Sequence, residues 1–398
     1  MAHQRVVAPP ERVDQVVEHW ATHCPTCQTP LPTGANHPGG MGTYVAHQVT
    51  EVPPVHASIT EHRRQRVVCP GCQRSVLAVL PPEVPCGAFG PRLQATVALL
   101  SGRSRLSRRE VADLCSTLLH TPLCVGSVDA LCQATSAAVA PAVMALVAAV
   151  PDAPVVHSDE TGWRQAGKRH WLWVVLTPTF TVFRLAVSRG SAVIRALVGE
   201  DYQGTVVSDR YSAYSWLGEE RRQVCWAHLQ RDFQGLVDRG GAAQPIGQRA
   251  LAVAHDLFHA WHQFQGGHSD RAGLERAIRP LQATLSQVLT DGHASASPAA
   301  RSLCRSLDQV CAALWTFSWE DGVSPTNNLA EQAIRPAVLW RKGSFGTQSD
   351  GGARFVERLL TVVATCRQQG TALLDYLTDA CTATLTGQPP PSLLPVSP

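Results

Sequence analysis

Charge is scarce in this sequence. Asp, Glu, Lys and Arg make up 16% of its 398 residues, and they balance to a net +3. A balance so close to zero neither demands nor excludes a nucleic-acid partner. Long apolar runs are missing too. None reaches the roughly 18 residues that a membrane helix needs, so no membrane partner is expected. The start, Met1-Ala2-His3-Gln4-Arg5-Val6, does not read as a secretory leader, because Glu11 and Asp14 interrupt it early. A cytoplasmic location is the expectation. In that compartment the thirteen Cys, an odd and scattered set, are not expected to form disulfides. Cys132, Cys304, Cys311 and Cys381 fall in helix-like apolar patterns and read as core residues.

The apolar share, 44%, is enough to fill globular cores, and the length predicts two to four domains. Residues 1–85 hold Cys24-Pro25-Thr26-Cys27 and Cys69-Pro70-Gly71-Cys72. Two such turns can close a tetrahedral shell of four thiolates around structural Zn²⁺, so a zinc ribbon is predicted. Reduced cysteines without metal are the alternative. Between the turns, Gly34 to Gly42 is rich in Gly and makes the spacing long for a ribbon. Residues 86–152 turn helical, with Leu93, Val97, Leu99 and Leu100 on one face. Ser107 and Glu110 match a capping box. Two helices with a break at 120–123, preceded by Arg103, Arg105, Arg108 and Arg109, predict a helix-turn-helix for DNA or a packed connector.

Residues 153–235 carry three strand-like runs joined by short turns, then a helix at 191–198, a fourth strand at 205–208, another helix and a fifth strand at 223–226. A doubly wound sheet would need a helix between every pair of strands. This order predicts a ribonuclease-H-like core instead. Residues 236–319 lose the strands and show three amphipathic helices, an all-α insertion. Residues 320–386 return to the core and end on a helix at 354–368. Residues 387–398, with Pro389-Pro390-Pro391, are expected to be disordered. The fold class is thus multidomain α+β: zinc ribbon, helical DNA-binding segment, and a catalytic core interrupted by helices.

Three carboxylates carry the chemistry. Asp159 ends the run 153–158, Asp209 ends the run 204–208, and Glu331 lies in Asn327-Asn328-Leu329-Ala330-Glu331. The predicted topology makes the two Asp strands neighbours. Two Asp at strand ends and one Glu on a helix can converge on Mg²⁺ or Mn²⁺, which take carboxylate oxygens. Two such ions activate water and stabilise the leaving oxygen of a phosphodiester. Asp159 would bridge both ions, Asp209 hold one and Glu331 the other. The triplet contains no His, which argues against catalytic zinc. Each residue also has an ordinary explanation. Asp at strand ends forms turns, and Asn328 with Glu331 fits a helix cap. Glu160 is a rival ligand, but on a strand it faces away from Asp159.

Around the triplet, Cys225-x-x-His228 is either a buried structural pair or a place where His228 contacts DNA or organises the site. Arg335, Arg341, Lys342 and Arg354 read as phosphate contacts. Trp163 and Trp226 are candidates for base stacking, with Trp226 better suited to the core. Tyr211 and Tyr214, on an expected helix, read as packing or as backbone contacts with DNA.

The runs His157-Ser158-Asp159-Glu160-Thr161-Gly162-Trp163, Ser208-Asp209-Arg210-Tyr211-Ser212-Ala213-Tyr214, Cys225-Trp226-Ala227-His228, Asn327 to Pro336, Arg341 to Gly346 and Gly351-Gly352-Ala353-Arg354 together resemble the DDE transposases of the insertion-sequence sixty-six family. The loop at 164–168 is shorter than in many members. The resemblance implies that Asp159, Asp209 and Glu331 are catalytic. It implies nicking at the element's ends to expose a 3′-OH, which attacks target DNA without a covalent protein–DNA intermediate. Double-stranded DNA, a second copy of the chain and further element-encoded proteins are the implied partners, and the protein would be DNA-associated. A transposase-derived DNA-binding protein that no longer cuts is the alternative.

Overall fold

The computed structural model describes residues 7–31 and 45–395. The Gly-rich stretch at 34–42, the first six residues and the last three of the tail lie outside them. The chain divides into two units, residues 1–57 with 118–120, and the remainder. In the first unit the Gln48 amide holds both backbone groups of Ala8, at 2.7 and 2.9 Å. Its Cys24–Cys27 turn is flanked by an antiparallel bridge between His23 and Pro30.

The second unit opens with the hairpin β1 (Arg66–Val68) and β2 (Ser75–Leu77), whose tip carries Cys69 and Cys72. Four helices follow: α1 (Pro91–Gly102), α2 (Arg108–Leu119), α3 (Val125–Ala138) and α4 (Ala140–Ala149). The capping box forms. Ser107 N–H donates to Glu110 Oε2 at 2.7 Å and Glu110 N–H to Ser107 Oγ at 3.3 Å. No single helix among the described residues is long and apolar enough to cross a membrane.

A five-stranded sheet has the order β5-β4-β3-β6-β7. Its strands are β3 (Val155–Gln165), β4 (Lys168–Leu176), β5 (Thr181–Ala186), β6 (Thr205–Ser208) and β7 (Arg222–Val224). The first three form an antiparallel meander. Helix α5 (Ser191–Val198) then crosses over, and β6 joins β3 in parallel. Two differences from expectation matter. First, β3 does not stop at Asp159 but runs on to Gln165, where Ala166 and Gly167, at φ 48° and 74°, turn it tightly into β4. Two successive left-handed residues suit a two-residue hairpin, and the twist this turn imparts keeps long strands paired. Second, the helix expected between β6 and β7 is reduced to two single 3₁₀ turns, at Ser212–Tyr214 and Glu219–Arg221.

After β7 come α6 (Trp226–Arg239), α7 (Gln244–Gln265), α8 (Arg271–Ala294) and α9 (Pro298–Asp308). Their core is not separate from the sheet. Leu257, Leu285 and Phe317 share one buried cluster with Val155, Val207 and Val224. The chain then forms α10 (Asn328–Ser344), α11 (Asp350–Gln369) and α12 (Leu373–Leu385), the last foreshadowed in the sequence only by the helix-like pattern around Cys381. Helix α1 packs on α3 and α12. Gly102 permits its close approach to α11, since a Cβ there would stand 3.1 Å from Leu359.

Helix α11 also closes the edge of the sheet. Edge strand β5 would leave alternate N–H groups unpaired. Thr361 Oγ1 accepts from Phe183 N–H at 3.0 Å, Thr365 Oγ1 from Thr181 N–H at 3.2 Å, and Glu357 Oε1 from Leu185 N–H. Two strand residues advance about 6.8 Å and four helical residues about 6 Å, so the two ladders stay in step over three rungs. The tail is not disordered where it is described. Leu393 is buried, Gln369 donates to its carbonyl at 2.8 Å, and Tyr376 donates to Pro391 O at 3.1 Å.

Candidate active site

The last parallel pair in β3 and β6 is His157 with Val207. Asp159 and Asp209 each lie two residues further along, on neighbouring segments. Asp159 accepts one hydrogen bond, from Glu160 N–H at 2.9 Å. Burial, aided by the charges of Glu160, Asp209 and Glu331, pushes its pKa up to about 7. Asp209 keeps part of its ordinary turn role, with Oδ1 accepting from Tyr211 N–H at 2.9 Å. Glu331 sits in the first turn of α10. Asp159 and Glu331 line one cavity of about 460 Å³, together with His228, Asn328, Gln332 and Arg335.

The cap explanation for Glu331 fails. The residue preceding α10 is Asn327, not Asn328, and it makes no side-chain cap. Asn327 is buried and used elsewhere: its Nδ2 donates to Ser158 O at 2.7 Å and its Oδ1 meets His157 Nδ1 at 3.2 Å. Burial lowers the His157 pKa to about 4, so that ring stays neutral. The Glu331 carboxylate turns instead to α6, 3.5 Å from His228 Nδ1 and 3.5 Å from Arg231 Nη2. Among the described residues, one group of three metal-ligating side chains has its ligand atoms within 4.8 Å of one another: Cys225, His228 and Glu331. The two Asp are not drawn into it.

Glu160 points to the other face and is satisfied there. Arg189 Nε and Nη2 reach its Oε1 at 2.8 and 2.7 Å, and Tyr214 OH lies 3.2 Å from Oε2. Arg189 itself stacks on Tyr211 at 3.8 Å and Trp171 at 4.7 Å. Tyr214 is therefore a buried strut of this network, in a single 3₁₀ turn, which is the packing alternative rather than the DNA contact. Trp163 is buried as well, with its indole N–H 3.3 Å from Thr347 Oγ1, which removes it as a base-stacking platform; Trp226 is likewise buried.

Among the expected phosphate contacts, Arg335, Lys342 and Arg354 are exposed. Arg341 is committed differently. Its Nη1 donates to Gly162 O and, at 3.2 Å, to Thr161 Oγ1, fastening α10 to β3. Sequence reasoning missed Arg231, Asn327 and Arg222. The last is a buried arginine on β7 whose Nε and Nη2 have no hydrogen-bond partner and whose pKa burial lowers. It stands among charged residues just before the strand expected at 223–226, and no local signal in the sequence marks it.

The two cysteine turns share one backbone design. Cys24 N–H donates to Thr29 O and Gln28 N–H to Cys24 O; Cys69 N–H donates to Arg74 O and Gln73 N–H to Cys69 O. Gln28 and Gln73 both adopt left-handed φ, 59° and 57°. Hydrogen bonds from Thr29, and less from Cys24, lower the Cys27 pKa to about 7. The N–H groups of Cys72 and Gly71 lower that of Cys69. One cysteine in each turn, Cys27 and Cys69, is thus shifted toward thiolate.

Comparison with known proteins bears on all of this. An uncharacterized protein of Sinorhizobium fredii, y4qI, is 24% identical over 270 residues, covering 55% of this chain and 44% of its own length. A second from the same organism, y4hP, is 25% identical over 394 residues, covering 89% and 69%. The chain thus spans less than half of the first relative. The sequence profile described as the Transposase IS66 family matches residues 87–355, a span that contains Asp159, Asp209, Glu331 and every strand of the five-stranded sheet. The chain belongs to the IS66 family of transposases.

Proposed function

We propose that this chain cuts and joins DNA at the cavity that Asp159 and Glu331 line. The observation that carries the reading is Asp159 itself. A half-buried carboxyl pushed up to about 7 among three other carboxylates is a poor structural element and a good cation ligand. Its donor set, oxygens only, fits Mg²⁺ or Mn²⁺, with Asp159, Asp209 and Glu331 as the residues that would hold them. Ions bound there supply an activated water and a stabilised leaving oxygen for phosphodiester cleavage. The protein's own residues do the rest. Exposed Arg335, Lys342 and Arg354 contact phosphates, His228 sits at the cavity beside the strand, and Arg341 positions α10 on β3 so that Glu331 faces the cavity.

The sheet order, a three-stranded meander followed by two parallel strands, supports a ribonuclease-H-like core. The matched backbone of the two turns supports each as a zinc knuckle, Cys24 with Cys27 and Cys69 with Cys72, for structural Zn²⁺. On this reading the protein binds the ends of its insertion sequence in double-stranded DNA, exposes 3′-OH groups and joins them to a target. Bringing two ends together calls for at least two copies of the chain, with element-encoded partners, in the cytoplasm on DNA.

The test uses full-length protein and a labelled duplex carrying the inverted repeats that flank the gene. Mg²⁺-dependent release of a 3′-OH at the repeat end is expected. Asp159→Asn is expected to lose it by about 10³-fold while still retarding the duplex in a gel, a loss of the size seen on removing a key electrostatic group. Wild-type cleavage by that variant would end the assignment. Wild-type protein purified without zinc, by elemental analysis, would end the ribbon.

A further inference from the structure

Two helix starts meet beside the cavity. Cys225 immediately precedes α6, His228 lies in its first turn, and Glu331 lies in the first turn of α10. Their ligand atoms fall within 4.8 Å of one another. His228 Nδ1 and Glu331 Oε1, 3.5 Å apart, are buried polar atoms without a hydrogen-bond partner. Such atoms are rare in folded proteins unless something else satisfies them. Arg231 faces the other oxygen, Oε2, at 3.5 Å, which leaves Oε1 available. Asn327 N–H donates to Cys225 Sγ at 3.1 Å, the kind of outer bond that orients a sulfur ligand.

We propose that Cys225, His228 and Glu331 form a second cation site, for a thiophilic divalent ion of the Zn²⁺ class, which shares Glu331 with the all-oxygen site. Sulfur and imidazole select Zn²⁺ over Mg²⁺, and three protein ligands leave a fourth position open. The thiolate is the ligand form of Cys225, so its proton is released to solvent on binding. The two sites compete, because Glu331 cannot serve both. Zn²⁺ bound beside α6 withholds Glu331 from the carboxylates and restrains cleavage. Only this last consequence rests on the proposed activity; the binding does not.

The experiment counts metal. Full-length wild type, Cys225→Ser and His228→Asn are stripped and titrated with Zn²⁺ against a chromophoric chelator. His228 is half-buried, so its variant guards against a folding failure at buried Cys225, and equal thermal melts of the stripped proteins check this. Each variant is expected to bind one equivalent fewer than wild type, whatever the four knuckle cysteines bind. With Co²⁺ as the probe, Cys225→Ser is expected to lose part of the thiolate charge-transfer absorbance. Zn²⁺ inhibition of Mg²⁺-dependent cleavage is expected to weaken about tenfold in Cys225→Ser, as for loss of a supporting ligand. Asp159→Asn is expected to keep every zinc equivalent while losing cleavage. Equal zinc equivalents in wild type and both variants would overturn the site and leave His228 and Glu331 as a plain ion pair. Lost equivalents with no cleavage by any protein would uphold the site and remove the activity.

Discussion

Two adjacent carboxylates, Asp159 and Glu160, lie on opposite faces of one strand and meet opposite fates. Glu160 is the more deeply buried, yet Arg189 and Tyr214 answer its charge. Asp159 receives one backbone N–H and otherwise faces carboxylates. Burial raises the pKa of both, and for Glu160 Arg189 opposes the rise. The difference teaches where stability ends and chemistry begins. One face of β3 spends its polar groups on holding the sheet together. The other keeps a charge unsatisfied, a state that is useful only if something binds there.

Removing the charge on each face should therefore act in opposite directions. The largest effect belongs to Asp159 in metal-free protein. Its folded pKa, about 7, lies above the ordinary 3.8. The folded state holds this proton more tightly than the unfolded one, so stability is lost as pH rises from about 4 to 7 and stays lost above. Linkage sets a ceiling of about 4 kcal/mol on that loss. Thermal melts at about pH 4 and pH 8 should show Asp159→Asn more stable than wild type at pH 8 and little different at pH 4. Equal melts at pH 8 would mean that Asp159 is not strained. Next comes Glu160→Gln, expected to cost about 2–3 kcal/mol by leaving Arg189 and Tyr214 without an anionic partner. A melt unchanged from wild type would show that the network does not hold the fold. The smallest effect tests a satisfied region far from the cavity. Thr361→Val leaves the Phe183 N–H on the sheet edge without an acceptor and should cost about 1–2 kcal/mol. Hydrogen exchange at Phe183 should quicken, and unchanged protection there would argue that α11 does not seal β5.

The sequence made the carboxylates and the strand order legible, because both are local signals: an apolar run ending in Asp, short turns, then a crossover. Long-range partners left no such mark. Asn328 fits a helix cap with Glu331 three residues on, yet it is already the first residue of α10, and only tertiary contacts with Ser158 and His157 show that the preceding Asn327 is occupied elsewhere. Arg231 meets Glu331 across 100 positions, a pairing that no spacing rule reaches. Tyr214 reads as packing or as a contact with DNA until the structure buries it. Arg341 looks like a phosphate ligand by composition and is a clamp by geometry. Types and elements were readable, and the partners that decide each residue's role were not.

Two small contacts have a larger meaning. Trp226 N–H donates to Pro325 O at 2.9 Å, and Asn327 N–H donates to Cys225 Sγ across a separation of 102 residues. The helical excursion thus leaves the sheet and returns to it at a single doorway. Lengthening a loop whose ends are already joined costs little, since closure entropy grows only with the logarithm of its length. The closing bonds hold entry and exit together, but the helices between them also pack on the sheet through Leu257, Leu285 and Phe317, so only a change that spares this shared cluster leaves Asp159 and Asp209 where the strands put them.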